Sequence, residues 1–211
     1  MEGRTTFHSF SFGSHYDPDN LRFGAMLAHN EELLPAGTGY PDHPHSDLEI
    51  VTLVTSGALQ HRDSSGHDGV VQPGQVQRLS AGSGIVHSET ADVGTRFIQV
   101  WVRPDESGLV PSYALEDFEL RAGQLLCVAG HGGVVGLNSA GTSMHVGQAD
   151  QGTGLVLPEA PNLHVFVATG SVTIGERLLV AGAAGRLTGQ GGRTATVTAN
   201  DTDLIVWAFD R

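Results

Sequence analysis

PDHPHSDLEIVTLVTSGALQHRDSSG, residues 41–66, carries the fold and the chemistry in one run. From Glu49 to Thr55, Val51, Leu53 and Thr55 alternate with Ile50, Thr52 and Val54. Apolar or β-branched side chains on both faces describe a strand covered from both sides. Ser56-Gly57 breaks that strand, and Asp63-Ser-Ser-Gly66 ends the next, because Asp and Ser bond nearby backbone in turns and Gly turns at no steric cost. Upstream, His43-Pro44-His45 spaces two imidazoles at i and i+2, which on a strand puts both on one face.

Turn signals recur on the C-terminal side at Gly69, Pro73-Gly74 and Gly82-Ser-Gly84, the rhythm of an antiparallel sandwich or barrel. Leu21 to Ala28 reads as a strand before this core, and Arg96 to Val102 closes the first half. Arg103 to Phe118 is a connector broken by Pro104, Gly108 and Pro111, with one short helical turn expected over Tyr113 to Phe118. The chain then starts over. Strands are expected at Leu125–Ala129, Ser143–Gly147, Gly154–Leu157, His164–Thr169, Ser171–Ile174, Arg193–Thr198 and Leu204–Phe209, parted by glycine-rich turns. The halves share no close sequence repeat, yet Leu53–Gln60 and Val165–Ile174 both run strand, Gly turn, strand. The economical reading is all-β: two small antiparallel barrels, residues 1–118 and 119–211, from an old duplication.

Composition agrees. Of 211 residues, 29 are Gly and only 11 are Lys or Arg, and charged residues are 16% against about 25% in an average globular protein. The material of exposed helices is scarce and that of tight turns abundant. The net charge of −12 and the lack of a basic stripe argue against direct nucleic-acid binding. The one cysteine, Cys127 in LLCVAG, reads as a small buried apolar residue, and no internal disulfide can form. No run approaches the roughly 18 apolar residues of a membrane span, and the N-terminus lacks a signal-like apolar stretch. A cytoplasmic protein with no membrane partner is expected.

A second tight cluster, His87-Ser88-Glu89, follows the Gly82-Ser-Gly84 turn and has the same i, i+2 spacing. Two adjacent strands bearing such pairs would gather three imidazoles and a carboxylate. That set suits one first-row divalent ion, such as iron, manganese, nickel, copper or zinc, with one or two positions left open.

Gly37-x5-His43-x-His45-x3-Glu49, followed by Gly57, resembles the first cupin motif; Pro73-Gly74 and then Gly84-x2-His87 resembles the second. More closely, residues 41–66, GVVQPGQVQRLSAGSGIVHSE at 69–89 and HSFSFGSHYDPDNLRFGAM at 8–26 resemble the pirin family, densely from Phe7 to Trp101. The resemblance implies a bicupin of jelly-roll type, two barrels packed together. Its N-terminal barrel holds one metal, usually iron as Fe(II), at His43, His45, His87 and Glu89. It further implies a quercetin 2,3-dioxygenase-like oxidoreductase using a small, flavonol-like or enolisable aromatic substrate and dioxygen, with Glu89 taking the substrate hydroxyl proton. The family also contains iron-dependent transcriptional co-regulators, so a non-catalytic metal or redox sensor that binds a protein partner is the alternative.

General cupins take their carboxylate from the position of Glu49 and pirins from that of Glu89; strand parity leaves both open, and the motif favours Glu89. Ser46 stands where pirins usually carry Arg, which is expected to change the charge at the mouth of the site. His61 reads as structural, and His8, His15, His29 and His67 as exposed. His131, His145 and His164 lack any pairing pattern, so the C-terminal barrel is expected to be metal-free.

Overall fold

The structure, a computed structural model, describes residues 3–211. It contains strands and no helix among the described residues, so none is long and apolar enough to cross a membrane. Strands are numbered in chain order. One sheet of six runs β1 (Thr5–His8), β2 (Met26–Leu34), β9 (Thr95–Val102), β4 (Glu49–Ser56), β7 (Gln75–Ser80), β10 (Ser112–Asp117). A sheet of four runs β3 (Thr38–His45), β8 (Ile85–Ala91), β5 (Leu59–Asp63), β6 (Asp68–Val71). Later in the chain, a sheet of five runs β11 (Leu126–Gly130), β12 (Thr142–Ala149), β19 (Thr202–Phe209), β14 (Asn162–Thr169), β17 (Ala184–Thr188). Its companion of four runs β13 (Gly154–Val156), β18 (Thr194–Val197), β15 (Ser171–Ile174), β16 (Arg177–Val180).

The two pairs of sheets have one topology: β1-β2-β9-β4-β7 matches β11-β12-β19-β14-β17, and β3-β8-β5-β6 matches β13-β18-β15-β16. The chain divides accordingly. One compact unit runs through Phe118 and takes in Leu137–Ala140; the other comprises Glu119–Gly136 and Gly141–Arg211. Each is two antiparallel sheets closed over apolar side chains from both, without one continuous hydrogen-bonded barrel. In the first, Leu34, Val54 and Phe97 of the larger sheet meet Leu59, Val71 and Ala91 of the smaller. In the second, Val165, Leu204 and Val206 meet Leu155, Val172 and Val197.

Two expectations are corrected. The strand read at Leu21–Ala28 begins at Met26 and runs on to Leu34. The polar residues Glu31 and Glu32 are accommodated inside it: Glu31 is paired with Arg96 at 2.6 Å and Glu32 accepts hydroxyl hydrogen bonds. Tyr113–Phe118 forms no helical turn; Ser112–Asp117 pairs with β7, from Ser112 opposite Ser80 to Asp117 opposite Gln75. Helix-compatible residues there were overridden by the unpaired N–H and C=O groups that β7 would otherwise present as a sheet edge.

Two backbone details set the site. Gly39 lies where a Cβ would stand 2.1 Å from the Glu89 carbonyl oxygen, so a bare backbone lets β3 approach β8. Between β3 and β4, Asp47 adopts φ 51°, and its Oδ1 accepts the Gly108 N–H at 2.7 Å. This left-handed turn carries the chain from one sheet to the other.

Candidate metal centre

Along β8, Ile85, His87, Glu89 and Ala91 are buried while Val86 and Thr90 face out. On β3, His43 and His45 are half-buried and Pro44 is exposed between them. His43 stands directly opposite His87 in the β3–β8 ladder, after a register shift between Tyr40 and His43. Ring centroids are 4.3 Å apart for His43 and His87, 4.9 Å for His43 and His45, and 5.0 Å for His45 and His87. One nitrogen from each ring lies within 4.8 Å of the other two.

The hydrogen bonding tells which nitrogens are free. His43 Nδ1 lies 2.8 Å from the Pro41 carbonyl oxygen, which can only accept, so Nδ1 carries the proton and Nε2 a lone pair. His45 Nε2 and both nitrogens of His87 are buried with no hydrogen-bond partner. Orphaned buried nitrogens are costly, and a divalent ion satisfies several at once. Burial, and then the neighbouring imidazoles, push His45 down to about 4 and His87 to about 3, so both rings are neutral, with lone pairs unprotonated, at physiological pH. This donor set fits a first-row divalent cation.

Glu89 enters the same cavity but groups with His61 and His87 rather than with all three histidines. Its Oε1 accepts the Gln99 Nε2–H at 2.8 Å, and Gln99 is oriented by Trp101, whose indole N–H donates to Gln99 Oε1 at 3.2 Å. Burial drives the Glu89 carboxyl up to about 7; the Gln99 hydrogen bond opposes this and the charge of Glu32 adds to it. His61 is fully buried, with Nε2 3.2 Å from Asp63 and Nδ1 3.2 Å from the Gln77 amide nitrogen. That bonding is structural, as expected from its turn sequence, yet it leaves the ring 5.4 Å from His87.

The other carboxylate lies elsewhere. Glu49 is buried on β4, where it accepts from Ser80 Oγ at 2.5 Å and from the Asn138 backbone and side-chain N–H groups at 3.2 Å. It shares no ligand group with the histidines, because the Asp47 turn moves it to the other sheet. Ser46 is exposed and lines a groove with Pro44, His45, Ser64 and Val86. His29, expected at the surface, is 1% exposed, and His8 lines the cavity.

That cavity measures about 380 Å³, within the roughly 300–1,000 Å³ of small-molecule sites. His43, His45 and Glu89 share it with Phe12, Tyr40 and Trp101. Trp101 meets His45 edge-on at 5.0 Å and Phe12 edge-on at 6.0 Å. Sequence reasoning passed over Gln99, Trp101 and Tyr40. The available signal was Gln99 itself, a lone amide inside the apolar run Phe97-Ile-Gln-Val-Trp101.

Tandem two-sheet units, with inward histidines on β3 and β8 of the first, define a bicupin with the donor set of a metal protein. The neighbouring folds agree. A cupin 2 conserved barrel domain protein from Leptotrichia buccalis superposes with a TM-score of 0.55 at 10% identity, over 99% of this chain and 89% of that one. The crystal structure of bacterial pirin YhhW from Escherichia coli, in complex with nickel(II), superposes with a TM-score of 0.90 at 25% identity, over 100% of this chain and 94% of that one. A Mycobacterium bovis protein with the provisional name of a quercetin 2,3-dioxygenase is 42% identical over 211 residues, spanning 95% of this chain and 86% of its own length. The Pirin family pattern matches residues 1–102. The chain belongs to the pirin family.

Proposed function

We propose that the protein is a metal-dependent dioxygenase acting on a flavonol-like or other enolisable aromatic substrate. His43, His45, His87 and Glu89 hold one divalent ion, Fe(II) in the first instance, in the first unit. The observation that carries this reading is the set of partnerless histidine nitrogens opening onto an aromatic-walled cavity. The nickel complex of the Escherichia coli pirin and the quercetinase name of the Mycobacterium bovis relative support it. A bound ion supplies Lewis-acid chemistry to a substrate oxygen and a position for dioxygen.

The protein's own residues do the rest. Trp101, Phe12 and Tyr40 present ring faces and edges to a flat substrate and displace water from it. Glu89, raised to about 7, is matched to taking an enol proton near neutral pH. Gln99, itself held by Trp101, fixes the orientation of that carboxyl.

The test is oxygen uptake by iron-loaded protein supplied with quercetin, alongside elemental analysis of protein purified without chelator. Uptake that tracks metal content is expected. Stoichiometric iron with no oxygen uptake would overturn the dioxygenase reading.

A further inference from the structure

The cavity wall on β2 holds a second buried carboxylate. Glu32, on β2, is 4% exposed and lines the same cavity as His43 and Glu89. Its Oε2 accepts from the Thr6 hydroxyl at 2.6 Å and from the Tyr40 hydroxyl at 2.7 Å. Both donors reach one oxygen, and among the described residues none reaches Oε1. Arg4 braces the arrangement: its guanidinium lies 4.2 Å from the centre of the Tyr40 ring while Nη1 donates to the Gly39 carbonyl at 2.8 Å.

We propose that Glu32 is a specificity-determining residue, its free oxygen accepting a hydrogen bond from a hydroxyl of an aromatic substrate bound in the cavity. This rests on the dioxygenase reading of the same site and deepens it. An acceptor oxygen open to the cavity and free of protein donors can take a ligand hydroxyl in exchange for water. Thr6 and Tyr40 hold the carboxylate by its other oxygen, so Oε1 is fixed before substrate arrives. A site built to bond a hydroxyl rejects the analogue lacking it, because its own polar group is then left unpaired. The selected class is therefore a hydroxylated aromatic ring.

The experiment is calorimetric titration of the metal-loaded protein, without oxygen, with quercetin and with 3-hydroxyflavone. The second keeps the enolisable 3-hydroxyl and lacks the others. The native protein is expected to bind quercetin at least about tenfold more tightly. In Glu32→Gln, Thr6 and Tyr40 still claim the amide oxygen, so an N–H₂ replaces the acceptor facing the cavity. The quercetin preference should then fall by about tenfold while 3-hydroxyflavone affinity holds, whereas general damage would weaken both alike. Thr6→Val, on the edge strand, removes one of the two donors without touching the core and should lower the same ratio. No preference in the native protein, or an unchanged ratio in the variants, overturns the assignment. If both flavonols are bound and quercetin is turned over, that result removes Glu32's role and leaves the dioxygenase intact. If neither flavonol binds, both readings fall.

Discussion

Glu89 and Glu49 sit on strands of the same unit and are both buried, but their donors differ in kind. Glu89 has one amide donor and faces imidazole lone pairs; Glu49 has a hydroxyl and two N–H donors and faces no histidine. Glu89→Gln should therefore lose most bound metal, since a neutral amide is a poorer ligand. Glu49→Gln should keep it while costing about 1–3 kcal/mol of stability, because an amide N–H₂ would oppose the N–H donors of Asn138. Elemental analysis with thermal melts separates the two; metal lost from Glu49→Gln and kept by Glu89→Gln would reverse the ligand assignment. The pH dependence follows from the same residues. His45 and His87 have folded values of about 4 and about 3, below the ordinary 6.5. The unfolded chain therefore binds more protons than the fold across that range, and the metal-free protein loses stability as pH falls from about 6.5 through those values. Glu89, at about 7, runs the other way: its neutral form suits the fold, and that contribution is lost as pH rises from 4.5 through about 7. Between about pH 6 and pH 8 the His45 and His87 rings are already neutral, and the Glu89 proton competes with metal. Affinity should rise about tenfold across this window. Metal-induced thermal shifts at the two pH values check it.

At the scale of the strand, the site depends on how closely β3 lies against β8. Gly39→Ala would push a methyl group into the Glu89 carbonyl oxygen and the Thr90 Cα, both backbone atoms that cannot swing aside. The strands must separate or shift. A stability loss of about 1–3 kcal/mol and weaker metal binding are expected, and native melting with native metal content would show that the approach is not needed. The strands that carry the proposed ligands were legible in the sequence, since His43-x-His45 and His87-x-Glu89 declare their period-2 faces and glycine turns mark their ends. Glu49 was not resolvable by parity, because parity holds only within one strand and the Asp47 turn resets it. The cavity wall was also hidden. Thr6, Glu32, Tyr40 and Gln99 come from four separate strands, and only the sheet order β1-β2-β9 and the β3–β8 pairing bring them together. The strand Ser112–Asp117 was hidden for a related reason: its partner, β7, lies 32 to 42 positions earlier by the Ser112–Ser80 to Asp117–Gln75 pairings.

The whole molecule repeats one topology with two different interiors. Strands β13, β15 and β18 match β3, β5 and β8, yet their inward residues are Leu155, Val172, Ile174, Ala195 and Val197, all in the apolar core of the second unit. Where the first unit gathers His61, His87 and Glu89, its counterpart packs aliphatic side chains, which offer an ion no donor and stabilise by burial alone. The duplication thus separates two tasks that compete within one barrel, since buried histidines and carboxylates cost stability that aliphatic packing supplies. One ion per chain is expected by elemental analysis, and His43→Ala with His45→Ala should reduce it to near zero, because only His87 and Glu89 of the four proposed ligands remain. The same double variant should keep the far-ultraviolet circular dichroism of a β-protein, as β3 loses imidazoles and not its ladder with β8. Retained metal in a folded double variant would move the site to other residues, with the His61, His87 and Glu89 group next to be tested.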